Sequence, residues 1–181
     1  MVNALAAPAA AEGEAALLHR AWALLESVPD PEIPVVSIRE LGILREIRVR
    51  GDALEVVITP TYSGCPAMGQ IEDDVRAALA AQQIRATVVT QLAPAWTTDW
   101  IGAQAREKLR AYGIAPPGRA DHGASSVLSF APRRDRREEP VACPHCGSTN
   151  TTETSHFSST ACKSLHKCLA CLEPFDRFKA Y

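Results

Sequence analysis

Long apolar runs are missing from this chain. No stretch approaches the roughly 20 apolar residues that a membrane helix needs, so a membrane-spanning role is not expected. A dominant charge sign is missing too. The formal net charge is −2, and no global basic field points to nucleic acid. The N-terminal MVNALAAPAAAEGE has alanine but no basic segment and no true apolar core, so it reads as a disordered leader over 1–13, not a signal peptide. Histidine is scarce early: His19 is the one histidine before residue 122. A cysteine hydrolase built on the N-terminal half would have only His19, in the first predicted helix, to serve as its base, which disfavours that reading. No G-x-G-x-x-G follows a predicted strand, which argues against a nicotinamide reductase. No internal repeat is visible.

What is present is mostly helix and strand signal. Leu18, Ala21, Trp22 and Leu25 recur at helical spacing, predicting a helix over 14–28 that stops at Pro29. In DPEIPVVSIRELG, Ser37 and Glu40 have capping-box spacing and Gly42 closes the turn. Strands are expected at 43–50 and 53–59, joined by the hairpin dipeptide Gly51-Asp52. Met68, Ile71, Val75 and Leu79 predict a helix over 66–82, and 84–92 reads as a third strand, with Ile84, Ala86, Val88 and Leu92 on one side. After APAWTTD, a helix with the stripe Ile101, Ala105, Leu109 and Tyr112 runs to Gly113. The expected fold is α/β: a small α-β-β-α-β-α sandwich with a mixed sheet over 14–115. Residues 116–140 are rich in Pro, Gly, Ser and charge and read as a linker. Their arginine run is nearly cancelled by Asp135, Glu138 and Glu139.

The tail, 141–181, carries the strongest motif. Cys143-x2-Cys146 and Cys168-x2-Cys171 are separated by 21 residues, close to the four-cysteine zinc ribbon. Four thiolates close a tetrahedron with no open position, so the expected zinc is structural. Iron and iron–sulfur are the rival metals for four cysteines. Paired cysteines without an export signal favour metal in a reducing cytoplasm over disulfides. Phe157, Phe175 and Phe178 are expected to pack around the knuckles. His145, His156 and His166 read as surface residues. Cys162 is a small buried thiol or a substitute ligand.

Cys65 stands apart from these. The reading places it at the N-cap of the 66–82 helix, with Pro66 at the first helical position and Gly64 allowing close backbone approach. There the free N–H groups would favour a thiolate, which suits metal binding completed by a second chain or a partner. A gap-filling buried thiol is the alternative. Disulfide exchange is disfavoured because no resolving cysteine lies nearby in sequence.

DPEIPVVSIRELG together with TPTYSGCPAMGQIEDDV resembles the assembly domain of SufT-type iron–sulfur factors. Adding APAWTTDWIGAQAREKLRAYGIAPP and CPHCGS…STACKSLHKCLACLEPFDRFK, the chain is similar to the PaaD (PaaJ) family over about 14–181. The resemblance implies an accessory, non-catalytic subunit of the phenylacetyl-CoA ring-epoxidising oxygenase in phenylacetate catabolism. It would assist maturation of iron or iron–sulfur centres in partner subunits, a di-iron oxygenase and an iron–sulfur flavin reductase. It implies transient iron or cluster binding at Cys65, with Asp30 and Glu32 as further ligands unless they serve turns. A structural adaptor without metal transfer is the alternative, and a homodimer is left open. The oxygenase itself is disfavoured: its paired Glu-x-x-His motifs are absent, and the single match, Glu153 to His156, falls inside the ribbon.

Overall fold

A computed structural model describes residues 7–118 and 140–180, with side chains from residue 13 onward. Contacts divide the chain into two compact units, Met1–Trp96 and Thr97–Tyr181. Most of the expected linker and the first six residues of the expected leader lie outside the described residues.

The first unit opens with α1 (Ala7–Leu25), which begins inside the expected leader and ends three residues early. Its stripe is as the periodicity demands: Ala21 and Leu25 are fully buried, Leu18 and Trp22 half-buried. Pro29 ends the helical path, and the next segment folds by side-chain capping. Ser37 N–H donates to Glu40 Oε2 at 3.0 Å and Glu40 N–H to Ser37 Oγ at 3.2 Å, the reciprocal pair of a capping box. Gly42 follows at φ 72°, where a side chain would be strained. This irregular segment is core, not surface: Ile33, Val36, Ile38, Leu41 and Ile43 are each at most 1 % exposed.

Two antiparallel strands, β1 (Leu44–Arg50) and β2 (Ala53–Ile58), are joined at Gly51-Asp52, with Arg50 opposite Ala53. From β2 the chain passes through α2 (Met68–Ala80) to β3 (Ala86–Thr90), which pairs parallel with β2. The sheet is therefore mixed, in the order β1-β2-β3. Ile71, Val75 and Leu79 of α2 are fully buried. Leu92, expected on the buried side of the third strand, lies past its end and is 61 % exposed. Trp96 closes the unit, its Nε1 donating to Leu41 O at 2.9 Å.

The second unit begins with a short 3-10 turn, Thr98–Trp100, capped by Thr97, and continues into α3 (Ala103–Ala111). Ala105 and Leu109 are buried, but Tyr112, expected in the stripe, follows the last helical turn and is 55 % exposed. Gly113 at φ 91° stops the helix. Then come β4 (Ile114–Ala115), β5 (Thr151–Ser155), β6 (Lys163–Cys168) and β7 (Pro174–Phe178), in the order β4-β7-β6-β5.

The order α-β-β-α-β-α is present along the chain, as expected. The grouping differs: α3 and the stub strand β4 cluster with the ribbon. The physical reason is backbone pairing, since Ile114 and Ala115 find their ladder partners in Asp176 and Arg177 of β7. Among the described residues no helix is long and apolar enough to cross a membrane.

Candidate metal centre and the Cys65 turn

The four ribbon cysteines sit on two matching turns. In the first, Gly147 N–H donates to Cys143 O at 2.9 Å and Gly147 adopts φ 77°. In the second, Cys171 N–H points at Cys168 Sγ at 3.4 Å, and Leu172 takes the left-handed position at φ 68°. Strand β6 delivers Cys168 and the turn delivers Cys171. The ligand sulfurs of Cys143, Cys146, Cys168 and Cys171 all lie within 4.8 Å of one another. Cys143 and Cys171 are 3.8 Å apart and Cys146 and Cys168 3.6 Å, far beyond a disulfide. Four sulfurs about 2.3 Å from one ion would stand about 3.8 Å apart at tetrahedral angles, so the spacing fits a four-thiolate metal.

Without an ion, Cys168 and Cys171 hold their protons unequally. The Cys171 N–H lowers Cys168 to about 6, outweighing its burial. At Cys171 the Glu173 backbone acts downward, but desolvation and the three neighbouring sulfurs prevail and push it up to about 12. A metal must displace those protons, which couples its binding to pH.

Behind the sulfurs lies a small core of Ala115, Cys143, Cys168 and Phe175. Phe175 and Phe178 are buried as expected, but Phe157 is 60 % exposed, with Lys179 Nζ 4.0 Å above its ring. His145 and His156 are exposed, while His166 is only 2 % exposed, against the expected surface position. It stacks on Phe175 with centroids 5.5 Å apart, and its Nε2 lies 3.0 Å from Ser164 Oγ. Strand alternation explains this: Ser164 and His166 share parity with the ligand Cys168, so all three face the ribbon core. That signal was legible from Cys168 backward. Cys162 is buried beside Thr160 Oγ1 at 3.0 Å and stands outside the sulfur cluster. Lys163 is 5 % exposed and pairs with Asp176 Oδ2 at 3.3 Å.

Cys65 lies elsewhere, half-buried in the turn between β2 and α2. Its N–H donates to Tyr62 O at 3.2 Å and its carbonyl accepts from Met68 N–H at 3.5 Å. It is not the N-cap. That position falls to Ala67, because Pro66 and Ala67 form a turn and α2 starts at Met68. Nor does Gly64 serve a close approach, since an added Cβ would meet Tyr62 at an ordinary 3.6 Å.

The two carboxylates differ. Asp30 is 6 % exposed and its Oδ1 accepts from Glu32 N–H at 3.0 Å and Ile33 N–H at 2.8 Å, so it caps its own turn. Glu32 keeps Oε2 buried with no hydrogen-bond partner. Among the described residues, the one metal-sized cluster of three or more such side chains is the four cysteines. Cys65, Asp30 and Glu32 do not gather into another.

An arginine that sequence patterning did not single out holds the start of the second unit. Arg106 donates to Ile101 O at 3.2 Å, to Thr98 O at 2.8 Å and to Pro117 O.

Residues 129–179 match the family described as PaaD zinc beta ribbon domain, and 19–91 match Iron-sulfur cluster assembly protein. The chain is 46 % identical over 163 residues to a protein of Escherichia coli K12 named as a subunit of the Putative 1,2-phenylacetyl-CoA epoxidase, covering 90 % of this chain and 92 % of that protein. A domain of unknown function, DUF59, from Bacillus anthracis has a similar structure at TM-score 0.50 and 28 % identity, over 55 % of this chain and 96 % of that one. With the assembly domain, the four-cysteine ribbon and a relative matched nearly end to end, this chain belongs to the PaaD family, the homologues of that phenylacetyl-CoA epoxidase component.

Proposed function

We propose that this chain is a non-catalytic accessory subunit of a phenylacetyl-CoA epoxidising system in the cytoplasm, one that helps load iron or iron–sulfur centres into its partner subunits. Those partners are a di-iron oxygenase and an iron–sulfur flavin reductase. The observation that carries the reading is the position of Cys65: a half-buried thiol on a turn, apart from the four-cysteine cluster, inside the 19–91 assembly match.

In this reading the two cysteine sets have different tasks. Cys143, Cys146, Cys168 and Cys171 hold a resident zinc that folds the ribbon. Cys65 takes iron or a cluster as cargo and passes it on. An exchange site needs an incomplete coordination sphere that a partner can finish, and a single protein thiolate suits that better than four. Asp30 is already engaged by its turn, so a second ligand from this chain would be Glu32, which has an oxygen free of hydrogen bonds and would have to move to Cys65 on loading.

The test is elemental analysis of anaerobically purified chain after iron and sulfide treatment, wild type against Cys65→Ala. The expected result is equal zinc in both and iron only in the wild type. Equal iron in the two proteins would overturn the cargo role.

A second reading, a structural adaptor between oxygenase and reductase, draws on one feature. Leu169 and Leu172 on the second knuckle are 49 % and 65 % exposed, a pair of apolar side chains suited to a protein contact. It requires stoichiometric co-purification with the partner subunits, undiminished by Cys65→Ala.

A further inference from the structure

The edges of the two sheets are not equally guarded. β1 carries Arg45, Glu46, Arg48 and Arg50 and has a register irregularity between Leu44 and Glu46. β5 is irregular between Glu153 and Ser155, and β4 is two residues long. Charges, bulges and shortness are the ordinary protections of a sheet edge. β3 has none of them. Its sequence is Ala-Thr-Val-Val-Thr, uncharged, without proline, and in unbroken register with β2.

The hydrogen bonds show which groups this edge offers. Leu54 N–H donates to Arg85 O at 2.9 Å, and Gln91 N–H donates to Ile58 O at 2.8 Å. Alternate residues of a strand turn their amides to opposite sides. Odd-numbered residues of β3 therefore bond β2, and Ala86, Val88 and Thr90 turn theirs outward. Among the described residues no strand lies on that side, and no hydrogen bond to those outward groups is found.

We infer that this edge pairs with the same edge of a second copy, antiparallel, about a two-fold axis at Val88. The register is self-complementary. Val88 exchanges both its hydrogen bonds with the partner's Val88, and Ala86 exchanges both of its own with the partner's Thr90. Thr87 then faces the partner's Val89 in the closer, non-hydrogen-bonded pairing. No like charges meet: Arg85, held by Asp52, falls opposite the partner's Gln91. Two short strands bury less surface than a standard protein interface, so the dimer is a weak one.

The experiment is sedimentation velocity on the full, zinc-loaded chain over a wide concentration range. The wild type is expected to pass from monomer to dimer. T87K/V89K places lysine against lysine twice and should raise the dissociation constant about tenfold. T87K/V89E puts the same burden on each monomer but sets lysine against glutamate, and should dimerise as the wild type does. A second measurement needs no variant: hydrogen exchange of the Val88 and Thr90 amides should slow as concentration rises. A chain that stays monomeric, charge variants that associate alike, or exchange indifferent to concentration would each overturn the proposal.

Discussion

Leu172 occupies the conformation that Gly147 occupies in the first knuckle, φ 68° against φ 77°. A leucine there is strained by about 1–2 kcal/mol, and this one recovers little through packing because it is 65 % exposed. Leu172→Gly should therefore raise the stability of the metal-loaded ribbon by about 1 kcal/mol, read as a higher thermal midpoint. If the knuckle docks onto a partner subunit, the same change weakens that association, so stability and binding move oppositely. Asp30 makes the reverse case. Its carboxylate satisfies two backbone N–H groups, and Asp30→Ala should cost about 1–2 kcal/mol while Asp30→Asn restores most of it, measured by denaturant unfolding. Acidity adds a prediction for the metal-free chain. Cys168 is lowered in the folded state, so the stability it contributes is present above the ordinary thiol range and is lost as pH falls through about 6. Thermal unfolding of chelator-treated protein between mildly acidic and alkaline pH should follow that sign on the acid side. Above the ordinary thiol range Cys171, shifted upward, acts in the opposite direction.

Among the elements, what was legible in the sequence was local. The capping box of Ser37 and Glu40, the Gly51 hairpin and the α2 stripe each depend on residues a few positions apart. Their chemistry is written where it acts. The allegiance of α3 and β4 was not legible, because it depends on β7, far along the chain. Cys65 was legible as a residue apart but not as to its place in the turn. Proline spacing suggested an N-cap, and the extra turn through Ala67 is a tertiary outcome. Arg106 was hidden for another reason: a guanidinium bonded to backbone carbonyls leaves no partner residue type in the sequence. Arg106→Lys cannot reach three carbonyls in the same fork, and it should lower the stability of the second unit by about 1–3 kcal/mol, read by hydrogen exchange across α3.

For the molecule entire, the two units should answer metal removal differently. A ribbon this small takes much of its folding free energy from its ion, whereas the first unit buries its own core of Leu25, Ile38, Ile58 and Ile71. A strong chelator should sharply lower exchange protection in β5, β6 and β7 and leave that of β1 and β2 standing. Because Ile114 and Ala115 complete the same sheet, protection in β4 should fall with the ribbon. The location of β4 also decides how this chain can be cut and recombined. A division after residue 115 would part β4 from β7 and leave the backbone of Ile114 and Ala115 without the neighbour that satisfies it. A chimera exchanging ribbons between relatives should be joined at Trp96–Thr97, and a recombination that respects that joint is the one whose offspring inherit both halves intact.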